Sequence, residues 1–204
     1  MPVLLPALSQ RRALRAFDSR PVPAEVQELF WQAISLAPSH GNTQPTRIVV
    51  AESAEARAKL AAALSEGNRS WAPAAPLLFA LVANPEHSPS QPNSDGSLRE
   101  FWAFNVGIAT GSLLAQATEL GLTAHPMAGF DEPAARVALG VPENVRIAAV
   151  VAVGYPGAPE SLPPDLQAKE TAPQERIPLA NLVAKDRWSE AQAPSSRDLR
   201  KRQG

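Results

Sequence analysis

Three arginines lie close together near the start of the chain, in the run R-R-A-L-R-A-F at 11–17. We expect a short helix over Leu8–Phe17, which would place Arg11 and Arg15 four residues apart on one face. Two guanidinium groups on one helix face repel each other unless an anion such as a phosphate lies between them. The run therefore indicates either a phosphate site or an ordinary solvated basic face.

Two loops rich in small and polar residues could approach a bound organic ring. The first, A-P-S-H-G-N-T-Q-P at 37–45, offers backbone N–H groups, a hydroxyl and two amides. The second, P-M-A-G-F-D at 126–131, contains a glycine that permits close approach to the backbone. Taken alone, the first can also be a capped turn. The second can be a strand-to-helix connection with Asp131 as the helix N-cap.

Several catalytic chemistries lack their residues in this sequence. The chain has no cysteine, which excludes disulfides, thiolate catalysis and cysteine-ligated metals. Its three histidines, His40, His87 and His125, lie far apart without metal-ligand spacing, so no metal site is expected. The sequence also lacks the dinucleotide-binding glycine motif, the P-loop and the G-x-S-x-G nucleophile motif. These absences favour a bound organic cofactor.

Composition limits the partners further. The 204 residues carry 19 Lys and Arg against 20 Asp and Glu, which argues against nucleic acid or an anionic membrane as a partner. A basic tail (Arg197, Arg200, Lys201, Arg202) is either a solvated terminus or a nucleic-acid or protein contact. The N-terminus lacks the pattern of a secretory signal, so we expect a cytoplasmic protein.

Helices alternate with short apolar strands, which predicts a single layered α/β-type domain. Helices are expected to begin near Ala24 and to cover 53–65, 98–120 and 132–139, and strands to cover 47–51, 76–82, 122–126 and 146–153. The segment 84–97 is expected to be a mobile loop, and the chain after Pro159 to be irregular.

The helix predicted over 98–120 has no charged residue between Glu100 and Glu119. Its length fits a membrane span, but polar residues are spread around it and no basic flank follows. Gly107 and Gly111 would permit close approach of another helix. The helix is therefore a central or dimer-interface helix, an ordinary core helix, or a membrane span, against which the polar residues argue.

In their order and spacing, these segments resemble the nitroreductase family of FMN-dependent oxidoreductases over residues 8–183. The further matching pieces are G-N-R-S-W-A at 67–72, V-A-V-G-Y-P at 151–156 and E-R-I-P-L-A-N-L-V at 175–183. The resemblance implies a three-layer α+β fold, with a central and mostly antiparallel sheet flanked by helices, a long buried central helix and a homodimer. It also implies an FMN-binding domain over 1–183 and a polar extension over 184–204.

The resemblance also implies which residues bind FMN. The phosphate and ribityl chain would be held by Arg11, Arg12, Ala13, Arg15 and Arg176. The isoalloxazine ring, at the subunit interface, would be lined from the other subunit by Pro38, Ser39 and His40, with Asn42 and Gln44 nearby. Asn68 would contact the ring or ribityl region, and the flavin would run beside Pro126, Met127, Ala128 and Gly129. His40 stands where a serine is usual, which would bring an imidazole near the ring.

The implied activity is an NAD(P)H-dependent flavin reductase. It would take hydride from NADH or NADPH by a ping-pong mechanism and reduce nitroaromatic, quinone or enone-type acceptors. Flavin N5 would be the reactive group, so no catalytic side chain is named. The alternative is an FMN-binding or reservoir protein with little turnover of its own.

Overall fold

A computed structural model describes residues 3–190 of the chain. Its helices are α1 (Pro6–Ser9), α2 (Ala24–Ser35), α3 (Ala54–Ala62), α4 (Glu66–Arg69), α5 (Trp102–Glu119), α6 (Glu132–Leu139), α7 (Pro164–Thr171) and α8 (Leu179–Leu182). Its strands are β1 (Thr46–Val50), β2 (Leu77–Ala83), β3 (Gln91–Pro92), β4 (Leu98–Arg99), β5 (Thr123–Met127) and β6 (Arg146–Gly154). One compact unit ends at Glu170 and a second begins at Thr171. The domain boundary expected after residue 183 stays a prediction.

The central sheet has four strands in the order β1-β2-β6-β5, and every neighbouring pair is antiparallel. All seven residues of β2 are buried, as are the last five of β6. A strand covered on both faces must be apolar at every position, which explains the continuous apolar runs in the sequence. The predicted antiparallel sheet is confirmed.

Helices cover both faces of the sheet, which confirms the predicted three layers. On one face, α2 and α5 contribute Phe30 and Leu113 to a core with Phe79 of β2. On the other face, α3 and α6 contribute Leu60 and Ala135 to a second core. Successive residues of β2 and β6 enter the two cores alternately, because side chains along a strand point to opposite faces.

Helix α5 is buried along one side only within this chain. Val106, Ala109 and Leu113 face the sheet, while Phe104 is 61% exposed and lies on the opposite side. A Cβ built on Gly107 or Gly111 would have no neighbouring heavy atom within 4 Å. The uncharged helix therefore presents an open strip of small and apolar residues. Within residues 3–190, no helix is long and apolar enough to cross a membrane.

Three expectations about local structure need correction. The helix predicted over Leu8–Phe17 is wrong, since α1 ends at Ser9 and residues 11–16 are neither helix nor strand. The chain after Pro159 is not wholly irregular, because α7 and α8 follow. The first two residues of the helix expected over 98–120 belong instead to β4, which pairs with β3. The basic tail at 197–202 lies outside the described residues.

Candidate functional site

The arginine segment, residues 11–16, is held by side chains of strand β5. The Thr123 hydroxyl accepts a hydrogen bond from the Leu14 N–H at 3.2 Å and donates one to the Arg12 carbonyl at 3.0 Å. His125 lies two residues further along the strand and therefore on the same face. Its Nδ1 is 3.0 Å from the Leu14 carbonyl oxygen. These contacts take the place of the backbone hydrogen bonds of a helix and hold the segment against β5.

Glu170 of helix α7 holds the same segment from the other end. Its Oε1 accepts hydrogen bonds from the backbone N–H groups of Arg15 at 2.6 Å and Ala16 at 2.8 Å. Its Oε2 is 3.6 Å from Nη1 of Arg15, and its carbonyl accepts a bond from Arg12 Nη2 at 3.0 Å. Glu170 is only 5% exposed. A buried carboxylate is costly unless it is paired, so these contacts account for its position.

Neither Thr123 nor Glu170 was predicted from the sequence as a site residue. Glu170 is the buried residue of α7, a helix with no apolar stripe, where a charged residue is expected to face solvent. A threonine within a short strand is equally ordinary. No local pattern distinguishes these two residues, because their partners lie more than a hundred residues away.

His125 is buried next to an aromatic ring. Its centroid lies 4.5 Å from that of Trp71, which belongs to the predicted 67–72 motif. Burial holds the pKa of His125 below its ordinary value of 6.5, so the imidazole is neutral near pH 7. A carbonyl can only accept a hydrogen bond, so Nδ1 must carry the proton that reaches Leu14. His125 therefore acts as a structural donor to the arginine segment.

The structure brings Asn68 and Gly129 together, as the predicted site requires. The Asn68 side-chain amide donates to the Gly129 carbonyl at 3.0 Å, and the Ser65 N–H donates to the same oxygen at 2.8 Å. A Cβ on residue 129 would lie 2.6 Å from Ser65 Oγ and 2.9 Å from Asn68 Nδ2. A side chain at this position would force the side chains of Ser65 and Asn68 to move. Pro126 and Met127 end β5, and Ala128 follows them into the loop.

The polar loop predicted at 37–45 is shaped by unusual backbone angles, and its residues 38–45 are called the 38–45 loop below. Gly41, Asn42 and Gln44 have φ values of 57°, 55° and 46°, all in the left-handed region. Glycine and asparagine adopt this region readily, whereas glutamine does so at a cost of about 1 kcal/mol. The Ser39 hydroxyl accepts a bond from the Gln44 N–H at 2.9 Å and closes the turn. The 38–45 loop is thus a defined turn.

A buried asparagine joins this loop to helix α5. The Asn105 Oδ1 accepts from the His40 N–H at 3.0 Å, and its Nδ2 donates to the Ser88 hydroxyl at 2.8 Å. The His40 ring also stacks on Phe101, with centroids 4.3 Å apart and planes 10° from parallel. Gln91 Nε2 lies 3.3 Å from His40 Nε2. The segment 88–101, which overlaps the loop at 84–97 that was expected to be mobile, is therefore fastened to the 38–45 loop.

A cavity of about 350 Å³ opens beside the 38–45 loop. Trp31, Ile34 and Ile48 form much of its apolar wall, and Gln44 and Asn105 contribute polar groups. Its size and mixed lining are typical of small-molecule pockets.

Arg176 lies in the second unit, and its predicted role stays a prediction. Its Nη2 donates to Gln174 Oε1 at 2.6 Å and its Nη1 to the Glu175 carbonyl at 2.7 Å.

Across residues 3–190, no three His, Asp or Glu side chains are grouped so that they could hold a metal ion. The cations near this site are the guanidinium groups of the arginine segment itself, which suit anion binding.

Comparison with known proteins identifies the family. The family model described as "Nitroreductase family" matches residues 8–155. An NADH dehydrogenase of Thermus thermophilus is 31% identical over 201 residues, covering 87% of this chain and 93% of the relative. A crystal structure described as an oxidoreductase containing FMN superposes with a TM-score of 0.80 at 31% identity, covering 92% of this chain and 94% of that one.

A nitroreductase family protein of Clostridium difficile has the same fold, with a TM-score of 0.72 at 24% identity. The superposition covers 91% of this chain and all of the other. The fold, the ordered motifs and the match over most of the sequence agree: the chain belongs to the nitroreductase family.

Proposed function

We propose that this chain is an FMN-dependent oxidoreductase that takes hydride from NADH or NADPH and reduces nitroaromatic, quinone or enone-type acceptors by a ping-pong mechanism. Family membership supports an oxidoreductase, and the similar structure that contains FMN supports the cofactor. The observation that carries the proposal is the arginine segment, held in place by Thr123, His125 and Glu170.

The charges of the arginine segment fit a phosphate monoester. Arg11, Arg12 and Arg15 bring three guanidinium groups to this segment. Their positive charges are opposite to the charge of about −1.5 to −2 that a phosphate monoester carries near pH 7. The Arg15 side chain is 27% exposed, so an anion from solvent can reach it. Arg11, Arg12 and Arg15 would hold the phosphate, with the Ala13 backbone beside them.

The segment from Pro126 to Gly129 and the amide of Asn68 would lie along the flavin ring. Because the Gly129 carbonyl is bonded to Asn68 and Ser65, this loop is rigid and its N–H groups are fixed in place. Fixed dipoles of this kind stabilise a charge without reorganising. Bound FMN would supply the hydride chemistry, so the protein needs only to orient its ligands and exclude water.

We further propose a homodimer in which the 38–45 loop completes the partner's flavin site. Within one chain, this loop contacts α5 and the segment 88–101, whereas the arginine segment contacts β5 and α7. The open strip of α5, with Phe104, Gly107 and Gly111, offers a surface on which a second copy can pack closely. Localisation in the cytoplasm stays a prediction from the sequence.

An absorbance spectrum of the purified protein, followed by anaerobic titration with NADH and with NADPH, tests the function. We expect visible flavin bands that one nicotinamide bleaches within one or two equivalents. A colourless protein that takes up no added FMN would refute the proposal. A yellow protein that neither nicotinamide reduces would favour the FMN reservoir.

The dimer has its own test in Gly111→Glu. A carboxylate on the open strip of α5 would be buried without a partner in the proposed interface, so we expect a monomer that retains little FMN. Light scattering after size-exclusion chromatography measures the mass. The matched control is Ala62→Glu on the exposed end of α3. An unchanged mass in Gly111→Glu would exclude this face as the interface.

A further inference from the structure

We propose that Glu170 is a positioning residue for the flavin phosphate, and that it makes this chain select FMN over riboflavin, the same flavin without its phosphate. Glu170 does not contact the flavin in this proposal. It acts through the arginine segment. The inference rests on the proposed FMN-dependent function and assigns a role to a residue that no sequence motif marks.

The backbone N–H groups of the arginine segment need hydrogen-bond acceptors. Residues 11–16 lie in neither a helix nor a strand, so their N–H groups lack the regular carbonyl partners of those elements. A single oxygen, Glu170 Oε1, accepts from both Arg15 and Ala16. These charge-assisted bonds fix the two consecutive peptide groups and therefore the direction in which the Arg15 side chain leaves the backbone.

Glu170 also contacts two arginine side chains. Its Oε2 faces Arg15, and its main-chain carbonyl accepts from the Arg12 guanidinium. Two like charges three residues apart in sequence repel each other unless acceptors hold them. Glu170 provides an acceptor for Arg15 through its carboxylate and another for Arg12 through its backbone carbonyl. It thus orients two cations before any phosphate binds.

The ion pair between Arg15 and Glu170 is loose. The distance from Nη1 to Oε2 is 3.6 Å, longer than the 2.7–2.9 Å of a tight charge-assisted bond. Glu170 Oε2 is buried and has no hydrogen-bond partner among residues 3–190. A guanidinium has five N–H donors, and a loose pair leaves most of its bonding capacity for a second anion. Arg15 is therefore oriented by Glu170 without being saturated by it.

The test measures dissociation constants for FMN and for riboflavin on the full-length protein stripped of flavin, by quenching of flavin fluorescence. For Glu170→Ala, losing two charge-assisted bonds should raise the FMN constant about tenfold or more. The riboflavin constant should rise by less than about threefold, since riboflavin has no phosphate to position. The control is Asp165→Ala, which removes an exposed carboxylate from the same helix and should change neither constant.

Glu170→Gln separates positioning from charge. Its side-chain oxygen can still accept from Arg15 and Ala16, so we expect the FMN constant to stay within about threefold of the original. A merely structural role would weaken both flavins equally in Glu170→Ala. Equal weakening, or FMN binding unchanged in Glu170→Ala, would overturn the inference.

Melting temperatures identify variants that do not fold. If Glu170→Ala is recovered only unfolded, Glu170→Asp takes its place, because its shorter side chain cannot reach both N–H groups. In Glu170→Asp, the dissociation constant for FMN should rise and that for riboflavin should not. Any other result counts against a positioning role for Glu170. An original protein that binds neither flavin would refute the proposed function itself. An original protein that binds FMN no more tightly than riboflavin would overturn this inference alone.

Discussion

The arginine segment and the 38–45 loop are both polar connections, yet the protein holds them in different ways. The arginine segment is fixed by Thr123 and Glu170, which are buried and distant in sequence. The 38–45 loop is fixed largely by its own turn, with the Ser39 hydroxyl accepting from Gln44. Its distant contacts are the buried Asn105 and the half-exposed ring stack of His40 on Phe101.

The two regions are held differently because they have different tasks. A segment that must present fixed cations benefits from buried acceptors, because a hydrogen bond shielded from water holds its geometry. A loop that borders a pocket and a proposed subunit interface benefits from exposed contacts that can open at low cost. We therefore expect variants of the buried contacts, Asn105 included, to lower stability or ligand affinity, and a variant of the His40 ring stack to open the 38–45 loop locally.

Asn105→Leu should have the largest effect on stability. Leucine has a similar volume but leaves the His40 N–H and the buried Ser88 hydroxyl without their partner. Two unsatisfied polar groups should lower the free energy of unfolding by about 3 kcal/mol. Urea denaturation measures the loss, and Gln116→Leu, the same change at a half-buried position on the same helix, is the control. A loss no greater than that of the control would mean that Asn105 does not anchor the loop.

Thr123→Val should cost about 1–3 kcal/mol, because the Leu14 N–H and the Arg12 carbonyl lose their partner. The change keeps the shape of the side chain, so packing should be preserved. FMN affinity should fall as well, since the arginine segment loses one of its anchors. Thr118→Val is the control: its hydroxyl bonds only to the Leu114 carbonyl within helix α5. Wild-type FMN affinity in Thr123→Val would argue that β5 does not position the arginines.

His125 should make stability depend on pH. Burial holds its pKa below 6.5 in the folded protein, so the unfolded chain binds more protons. Its contribution is complete above pH 6.5 and is lost as the pH falls through the folded pKa, by at most about 1.4 kcal/mol per pH unit. His125→Gln should flatten the stability profile below pH 6.5. Parallel profiles for the two proteins would contradict this assignment.

His40→Ala should have the smallest effect on global stability, about 0.5–1.5 kcal/mol from the lost ring stack. Its local effect should be clear, because the segment 88–101 loses its contact with the 38–45 loop. Hydrogen exchange in residues 88–101 should speed up, while exchange in β5 stays slow. His87→Ala, at an exposed position, is the control. Unchanged exchange in 88–101 would show that the stack does not fasten this segment.

Local signals allowed some elements to be predicted to the residue. Helix α6 covers Glu132–Leu139 as expected. Asp131 accepts from the Ala134 N–H at its start, and Gly140 ends it with a φ of 65°. Both signals belong to residues adjacent to the helix, so the sequence around it is sufficient.

The arginine segment could not be predicted in this way. Its helical propensity is ordinary, but Leu14, Arg15 and Ala16 direct their N–H groups to Thr123 and Glu170 instead of to carbonyls four residues earlier. Those acceptors belong to elements whose position depends on the whole sheet. The family resemblance named the arginines, and tertiary structure alone supplies the residues that hold them.

The separation in sequence between these partners has a consequence for synthesis. Thr123 lies 109 residues after Leu14, and Glu170 lies 158 residues after Arg12. The N-terminal arginines leave the ribosome early, but their final conformation must wait until helix α7 has emerged. Closing such long loops slows folding. The segment that we propose as the phosphate site is therefore among the first parts of the chain to be made and among the last to be ordered.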